Sequence, residues 1–589
     1  MKEEHLLLLS DLLKLINQVV LFDYIIIILG GALMYNILVG GAAGQGIDTT
    51  AANLEMLLKK AGYYVFTMRD FMSRVRGGHN FSIIRFGNEP IFSHSAKLDG
   101  IIALDDDTVE IHNIELNKDG FILCDTKLKT ENEKAIKLNM DSMAKELGNP
   151  KVSGSIAIGA VLKLFGIGLG HVDETMKHLV KEAYLEMNVK AVRIGYESVD
   201  TRFKSLEGIT GDYMILSGSK AVGLGALAAG LKFYSAYPMS PSTAVMEFLA
   251  SKSVEAGIVV EQAEDEIAGI NMAIGASFAG ARAMTGTSGG GFCLKVEALG
   301  LSGIAEIPLV VIDVQRPGPA TGLPTRTEQS DLKFVISAAQ GEFPRMVIAL
   351  RNHTDAFYQT IRAFDLAERY QIPVILLSDQ YLGDSTATVE PYDLSDIQVA
   401  EPCGEEYKEG EYLRYKITED GISPRLIPGK TKNLVSADSD EHDERGFIIE
   451  SSEERIQMMD KRMRKLDKLM EELQEPEFIG GESFDTLLVG WGSTYGPIIE
   501  AVGVLNEKEP GKYGALIFGD VFPLPKKLLI EKATQAKQLI NIEQNATGQL
   551  GGLIREQTGI VFDRSILKYD GRQISGEEIV ERIQQGGVR

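Results

Sequence analysis

Cysteine is scarce in this chain of 589 residues, which contains only Cys124, Cys293 and Cys403. The three lie far apart and form no CxxC pair, so neither an iron–sulfur cluster, a zinc site nor a disulfide framework is expected on this chain. We therefore predict no metal site of its own. Few cysteines are also typical of a reducing compartment, and we expect the cytoplasm.

A long hydrophobic run is missing as well. The most apolar segment, residues 19–34, is interrupted by Asp23 and is shorter than the roughly 20 residues that span a bilayer. Acidic Glu3 and Glu4 precede it, unlike a secretory signal. We expect no membrane partner. We interpret residues 1–33 as an N-terminal extension that is not native, with a membrane anchor as the alternative.

Positive charge is in deficit, because Lys and Arg number 60 against 83 Asp and Glu, a formal net charge of −23. This balance excludes nucleic acid and anionic membranes as expected partners. Hydrophobic residues at 44% and charged residues at 24% are ordinary for a globular protein. The length predicts roughly three or four domains.

Three polar motifs lie close together in the middle of the chain. They are Ala236-Tyr-Pro-Met-Ser-Pro241, Glu261-Gln-Ala-Glu-Asp-Glu266, and Gln315-Arg-Pro-Gly-Pro319 continuing to Asp331. The last two follow apolar runs, and the first has the pattern of a strand end that turns into a helix. The pattern predicts a parallel sheet with a site at the carboxyl ends of its strands. Ser240 is predicted as a helix N-cap, with Pro241 at the first helical position.

Glycine-rich segments mark two further places. Gly40, Gly41, Gly44 and Gly46 lie between a strand pattern and a helix pattern, an arrangement that can cradle a phosphate. A tight strand-to-helix turn without a ligand is an equally weighted alternative. Residues 285–291, Thr-Gly-Thr-Ser-Gly-Gly-Gly, are predicted to form a loop whose backbone can approach a ligand.

Together these motifs resemble the α subunit of the 2-oxoacid:ferredoxin oxidoreductases, with a fused γ domain and most like the 2-oxoglutarate type. The family's Tyr-Pro-Ile-Thr-Pro corresponds to Tyr237-Pro-Met-Ser-Pro241, and its Glu-x-Ala-Gly helix start to Glu264-Asp-Glu-Ile-Ala-Gly269. Its Gln-Arg-x-Gly-Pro and Gly-x-Pro-Thr segments are nearly unchanged, and Arg74-Val-Arg-Gly-Gly-His-Asn80 matches the γ domain.

The resemblance implies an α/β, multi-domain fold. It divides the chain into a γ domain of the pyruvate/ketoisovalerate oxidoreductase catalytic type (34–201), an α core of the thiamine-diphosphate pyrimidine-binding type (213–390) and a transketolase C-terminal-like domain (481–589). Residues 391–480, between the α core and the C-terminal domain, are expected to form an acidic linker with one amphipathic helix, because Ile456, Met459 and Met463 keep helical spacing.

The resemblance also implies a catalytic residue. Thiamine diphosphate needs a carboxylate beside its aminopyrimidine ring, and the family's glutamate falls on Glu266. Glu264 is the second choice and Glu261 the third. The structural alternative is that these acidic residues have no catalytic role and only stabilise the positive N-terminal end of a helix, by about 0.3–1 kcal/mol each.

The resemblance implies that the Ser240 hydroxyl and the Arg316 guanidinium bind the carboxylate of the substrate. Arg326, with Thr325 in the same Pro-Thr-Arg loop, is the competing position. Tyr237 and Pro238 are implied to contact the cofactor. The structural alternatives are simple N-capping for Ser240 and a loop arginine paired with a carboxylate for Arg316.

The chain supplies half of a thiamine site. A Gly-Asp-Gly segment followed by Asn-Asn, which would bind Mg²⁺-diphosphate, is absent, because Gly211-Asp212 precedes Tyr213 and Gly519-Asp520 precedes Val521. The family places thiamine diphosphate and Mg²⁺ between this chain and a β subunit, which also holds the 4Fe-4S cluster. The implied partners are that β subunit, ferredoxin, a 2-oxoacid and coenzyme A.

The implied reaction is oxidative decarboxylation of a 2-oxoacid with coenzyme A, giving an acyl-CoA, CO₂ and reduced ferredoxin. We favour 2-oxoglutarate as the substrate. Pyruvate or a branched-chain 2-oxoacid is one alternative. The other is a non-catalytic regulator that binds a nucleotide or coenzyme A at Gly40–Gly46.

We predict that the purified chain by itself is colourless and inactive, because it lacks cluster cysteines and a diphosphate motif. The measurement is visible absorption together with iron analysis after iron–sulfur reconstitution. Stoichiometric iron with a cluster spectrum from the chain alone would contradict this prediction.

Overall fold

The computed structural model describes residues 33–72, 78–209, 211–399, 403–404, 406–407 and 411–586. Apart from Leu33, the expected extension at 1–33 lies outside the described residues, as does most of the Arg74–Asn80 motif. Along the described residues no helix is both long enough and apolar enough to cross a membrane.

The N-terminal unit, residues 33–209, is a twisted sheet with helices packed on it. Its strands are β1 (Met34–Ala42), β2 (Tyr64–Asp70), β3 (His79–Gly87), β4 (Leu98–Ala103), β5 (Leu116–Asp125) and β6 (Ala135–Leu138). Its helices are α1 (Ile47–Lys60), α2 (Asp106–His112), α3 (Met140–Glu146), α4 (Ser153–Leu164), α5 (Val172–Leu179) and α6 (Glu182–Glu197). β1 pairs parallel with β4 and antiparallel with β3.

The central unit, residues 211–399, alternates strands and helices. Its strands are β7 (Met214–Ser217), β8 (Phe233–Ala236), β9 (Val259–Gln262), β10 (Ala283–Thr287), β11 (Leu309–Gln315), β12 (Met346–Ala349), β13 (Pro373–Asp379) and β14 (Thr386–Val389). Its helices are α7 (Gly218–Ala228), α8 (Thr243–Ala256), α9 (Glu266–Phe278), α10 (Gly289–Ile304), α11 (Leu332–Ile336), α12 (His353–Tyr370) and α13 (Gln380–Asp384).

The polar segment that follows is anchored by α14 (Ser452–Glu471), a helix at the expected place. Its buried face differs from the predicted apolar stripe, because Ile456 is exposed and charged residues of α14 are buried instead. Lys461 and Lys465 of α14 reach into the central unit, and their Nζ atoms each lie 2.5 Å from a carboxylate oxygen of Glu306. All three side chains are buried and have lost their hydration, so the attraction between the opposite charges has to offset that loss.

The C-terminal unit, residues 477–586, forms a third sheet. Its strands are β15 (Glu477–Ile479), β16 (Thr486–Trp491), β17 (Tyr513–Phe518), β18 (Asp520–Phe522), β19 (Gln538–Glu543) and β20 (Arg564–Leu567). Its helices are α15 (Tyr495–Lys508), α16 (Lys527–Gln535), α17 (Gln549–Thr558) and α18 (Gly576–Gln584). Five of these strands form the third sheet, in the order β15-β17-β16-β19-β20, while β18 pairs with β12 of the central unit.

The sheets run across the unit boundaries. Within the described residues the first sheet has the order β6-β5-β4-β1-β3-β2-β14-β7, so two strands of the central unit extend the N-terminal sheet. The central sheet has the order β18-β12-β13-β11-β10-β8-β9, with β18 contributed by the C-terminal unit. The domain limits expected from the sequence therefore stay a prediction, while the multi-domain α/β class agrees with the observed sheets.

The central sheet positions the candidate site. β8, β9, β10, β11 and β13 are parallel neighbours, so their carboxyl ends lie along one edge. The three polar motifs of the sequence all follow strands of this group. β11 is buried at every position, which is typical of a strand covered on both faces.

Candidate functional site

Glu266 is the buried member of its acidic cluster. The Asp265 side chain caps α9 by accepting a 2.8 Å hydrogen bond from the Ala268 N–H, so Glu266 becomes the first residue of the helix. Glu266 is 4% exposed, whereas Glu261 and Glu264 are exposed. The fold therefore directs one carboxylate of the cluster into the protein.

The Glu266 carboxylate packs against the first turn of α10, where only glycine leaves room for it. A Cβ atom added to Gly291, in this turn, would lie 2.6 Å from Glu266 Oε1 and would also collide with the Thr287 hydroxyl. Thr287 Oγ1 lies 3.9 Å from the Met239 sulfur atom, in the Tyr-Pro-Met-Ser-Pro motif. Segments distant in the chain thus meet around this carboxylate.

Lys295 lies behind Glu266, and the sequence analysis missed it. Its fully buried Nζ donates to the Glu266 carbonyl oxygen at 3.1 Å and to Thr285 Oγ1 at 3.0 Å. Burial lowers the pKa of Lys295 to about 8, while the charge of Glu266 opposes that shift. A lysine inside an otherwise apolar helix pattern was the signal that could have identified it.

Arg316 and Ser240 are brought together by the ends of β11 and β8. Arg316 Nη1 donates to the Ser240 carbonyl oxygen at 2.6 Å. Arg316 is only 9% exposed, and among the described residues it forms no ion pair. Burial lowers the pKa of Arg316, and Asp331 acts against that shift. Its remaining donors are therefore available to an anion.

The residues around Ser240 differ from the prediction. Ser240 does not cap a helix, because α8 begins at Thr243 and is preceded by Ser242. Residues 240–242 form a turn, so Pro241 lies before the helix and not at its first position. The peptide bond between Ser240 and Pro241 is cis. Tyr237, predicted to contact the cofactor, is 39% exposed beside half-buried Pro238.

Arg326 has a different environment from Arg316. Its Nη1 lies 2.5 Å from Asp70 Oδ1, and Arg572 Nη1 lies 2.8 Å from Asp70 Oδ2. One carboxylate thus joins all three units, and it already pairs with Arg326. Thr325 lines a cavity of about 310 Å³ at this junction, together with Asp70 and Arg326.

The glycine-rich turn near the N-terminus lies on another sheet. Gly40 and Gly41 pack so closely that a Cβ atom on either would collide with neighbouring side chains. Gly44 and Gly46 are exposed, have φ angles of +93° and +84°, and lead directly into α1. The first two glycines therefore have a packing role, and the turn lies on a different sheet from the Glu266 group.

The predicted loop at residues 285–291 is wrong. β10 continues to Thr287, and α10 begins at Gly289. The glycines serve close contact rather than loop flexibility, because a Cβ atom on Gly289 would lie 2.5 Å from Asp331 Oδ2. Because glycine has no side chain, the carboxyl groups of Asp331 and Glu266 can approach the first turn of α10.

Two aspartates at the same edge, buried Asp313 and half-buried Asp331, were also missed. Asp313 of β11 is fully buried, and burial together with the nearby Asp331 carboxylate raises its pKa well above the usual range. Burial raises the pKa of Asp331 to about 6, an effect that Arg316 opposes. The signal was an aspartate inside the apolar run at residues 308–314.

Comparison with known proteins decides the family. Residues 36–198 match the family model of pyruvate ferredoxin/flavodoxin oxidoreductase, and residues 224–461 match its thiamine-diphosphate-binding model. A 2-oxoacid:ferredoxin oxidoreductase subunit alpha from a Sulfolobus species is 33% identical over 92% of this chain and 96% of its own length. This chain belongs to the 2-oxoacid:ferredoxin oxidoreductase α-subunit family.

A solved structure and a further relative are also similar to this chain. A solved 2-oxoglutarate:ferredoxin oxidoreductase from Magnetococcus marinus, with 2-oxoglutarate, coenzyme A and succinyl-CoA bound, has a TM-score of 0.88. It is 31% identical, over 94% of this chain and 99% of that one. The 2-oxoglutarate oxidoreductase subunit KorA of Mycobacterium tuberculosis is 34% identical over 60% of this chain and 56% of its own length. The protein is an oxidoreductase.

Glu266→Gln is expected to reduce kcat by about 10²–10⁴-fold, the range for loss of a general acid–base group, while the assembled enzyme keeps its subunits. The amide preserves the volume beside Gly291 and removes the group that exchanges a proton. Steady-state turnover and size-exclusion chromatography measure both properties.

Glu264→Gln is the matched control, since Glu264 is exposed two residues earlier and should keep full turnover. The assignment would be wrong if Glu264→Gln were inactive and Glu266→Gln retained wild-type turnover.

Proposed function

We propose that this chain is the α subunit of a 2-oxoglutarate:ferredoxin oxidoreductase, which converts 2-oxoglutarate and coenzyme A to succinyl-CoA, CO₂ and reduced ferredoxin. The observation that carries the proposal is the buried Glu266 carboxylate at a helix start, at the same edge of the central sheet as the pair of Arg316 and Ser240. The similar proteins that act on 2-oxoglutarate support this choice of substrate.

We propose that the Glu266 carboxylate contacts the aminopyrimidine ring of thiamine diphosphate. Because Gly291 has no side chain, Glu266 Oε1 and the Thr287 hydroxyl pack directly against the first turn of α10, which holds the carboxylate in a fixed position. When bound, thiamine diphosphate supplies the carbon nucleophile and the electron sink for the loss of CO₂. Glu266 holds and moves the proton at a ring nitrogen, and Lys295 orients its backbone.

Arg316 is the proposed contact for the carboxylate next to the oxo group. Its guanidinium is held at Ser240 through one Nη1 bond, so its other N–H groups are oriented and unpaired among the described residues. A guanidinium binds a carboxylate through two parallel hydrogen bonds, which a lysine does not reproduce. Arg326 is less suited, because its guanidinium is already held by the Asp70 carboxylate at 2.5 Å.

A partner subunit is proposed to cover this edge and complete the site. Large apolar side chains on the elements around Glu266 are exposed: Tyr237, Val259, Ile267, Met272 and Leu294. Exposed apolar side chains beside an incomplete polar site are typical of a subunit interface. We propose the β subunit as the partner, with Mg²⁺ bound at the shared diphosphate site and the 4Fe-4S cluster on the β subunit. Ferredoxin is the proposed electron acceptor, and the cytoplasm the proposed location.

A substrate panel on the enzyme assembled with its partner tests this choice. We expect the highest kcat/KM with 2-oxoglutarate and lower values with pyruvate and a branched-chain 2-oxoacid, measured by coenzyme A-dependent ferredoxin reduction. Preference for pyruvate, which the matching family models name, would replace the substrate and keep the reaction class. Failure with every 2-oxoacid would favour the non-catalytic regulator.

Arg316→Ala is expected to lower kcat/KM for the 2-oxoacid by about 30- to 4,000-fold. Loss of one partner of a desolvated charge pair costs about 2–5 kcal/mol, and each 1.4 kcal/mol is tenfold. Thiamine diphosphate affinity should stay unchanged, because Arg316 is not among the groups that pack around Glu266.

Arg326→Ala is the matched comparison and is expected to loosen the junction at Asp70 rather than the substrate site. The measurements are steady-state kinetics and cofactor titration of the assembled enzyme. If Arg316→Ala kept wild-type kcat/KM and Arg326→Ala lost it, the carboxylate contact would belong to the Pro-Thr-Arg loop.

A further inference from the structure

Buried Asp313 and half-buried Asp331, here called the carboxyl pair, have buried carboxyl oxygens without the usual partners. In the part of the chain that the structure describes, neither Asp313 Oδ1 nor Oδ2 has a hydrogen-bond partner, and Asp331 Oδ2 has none. Buried ionised carboxylates normally have several donors, because the lost hydration costs several kcal/mol for each ion. Two such groups in one place need a physical explanation.

The backbone holds the two aspartates on the same face of the sheet. Asp313 and Gln315 are two residues apart in β11, so their side chains point to the same side. Gln315 Oε1 accepts a 3.0 Å hydrogen bond from the Asp331 N–H, which brings Asp331 over that side. Gly289 lets the Asp331 carboxyl group lie against the first turn of α10.

Other ionisable groups face the carboxyl pair from three directions. Arg316 follows β11, Cys293 lies on α10, and Glu328 lies on the loop before α11. Arg316 supplies the positive charge, and Asp331 is the carboxylate that acts on it. Burial and the carboxylates of Asp331 and Asp570 raise the pKa of Glu328 to about 7, so Glu328 needs a control of its own.

One proton shared by the carboxyl pair would explain why these carboxyl oxygens lack hydrogen-bond donors. Two like charges held close together in a buried site do not both ionise near neutral pH, so the first proton is lost readily and the second is retained. A singly ionised carboxyl pair together with Arg316 has no net charge. A doubly ionised carboxyl pair would leave a net negative charge where an anionic substrate must bind.

We propose that Asp313 and Asp331 share one proton and thereby position and charge Arg316 for the carboxylate of the 2-oxoacid. This proposal rests on the proposed function, in which Arg316 binds that carboxylate. The carboxyl pair acts through Arg316 and does not touch the reacting atoms, so both aspartates are positioning residues. Loss of the shared proton at alkaline pH weakens substrate binding and leaves the chemical step at Glu266 in place.

The first test is infrared difference spectroscopy of the assembled enzyme at neutral pH. Wild type minus Asp313→Asn should show the C=O stretching band of a protonated carboxyl group, and the band should shift in D₂O. Wild type minus Asp331→Asn should show the same band, which gives a second variant if one of them folds poorly. Absence of the band from both difference spectra would overturn the proposal.

The second test is the pH dependence of KM for the 2-oxoacid in the same enzyme. A raised pKa means that the proton is present at low pH and lost as pH rises, so KM of the wild type should increase at alkaline pH. The slope should approach about tenfold per pH unit, the limit for one proton. In Asp313→Asn the amide cannot ionise, so KM should stay low and flat, with kcat changed far less than KM.

Glu328→Gln is the matched control and should keep the wild-type rise of KM. If the rise persisted in Asp313→Asn and Asp331→Asn but vanished in Glu328→Gln, the proposal would be overturned. Failure of the proposed function is distinguishable, because it would appear as wild-type kcat/KM in Arg316→Ala while the infrared band remained.

Discussion

Burial of charge at one edge of the central sheet is the constraint on which the candidate site depends. Glu266, Lys295, Asp313 and Arg316 are each at most 9% exposed, and they lie at or near the ends of neighbouring elements. The desolvation of each charge has to be offset by the others or by protonation. The glycines at the start of α10 follow from this, because carboxyl groups occupy the space of their side chains.

The three units are joined to one another by shared sheets and by ion pairs. β14 and β7 of the central unit extend the N-terminal sheet, and β18 of the C-terminal unit extends the central one. Asp70 then receives both Arg326 and Arg572, so one carboxylate joins all three units close to the site. A sheet shared between units holds the strand ends more firmly than a flexible linker would.

Motif reasoning indicated the family, which the comparisons confirm. The resemblance pointed to Glu266 within an acidic cluster and to Arg316 after a buried strand, and their roles stay predictions. The prediction of Ser240 as an N-cap was wrong, because a capping pattern does not report how many residues of turn precede a helix. Motif reasoning also mistook glycines needed for close packing at residues 285–291 for a loop.

The sequence by itself determined the α/β class, the family and the candidate residues, because strand periodicity and short motifs are local properties of the chain. The tertiary structure alone decided which carboxylate is buried, which arginine is unpaired and which aspartates meet. Asp313 and Asp331 lie 18 positions apart in the chain, and only the return of the loop over β11 brings them together. Burial and charge pairing depend on such contacts, which no local pattern encodes.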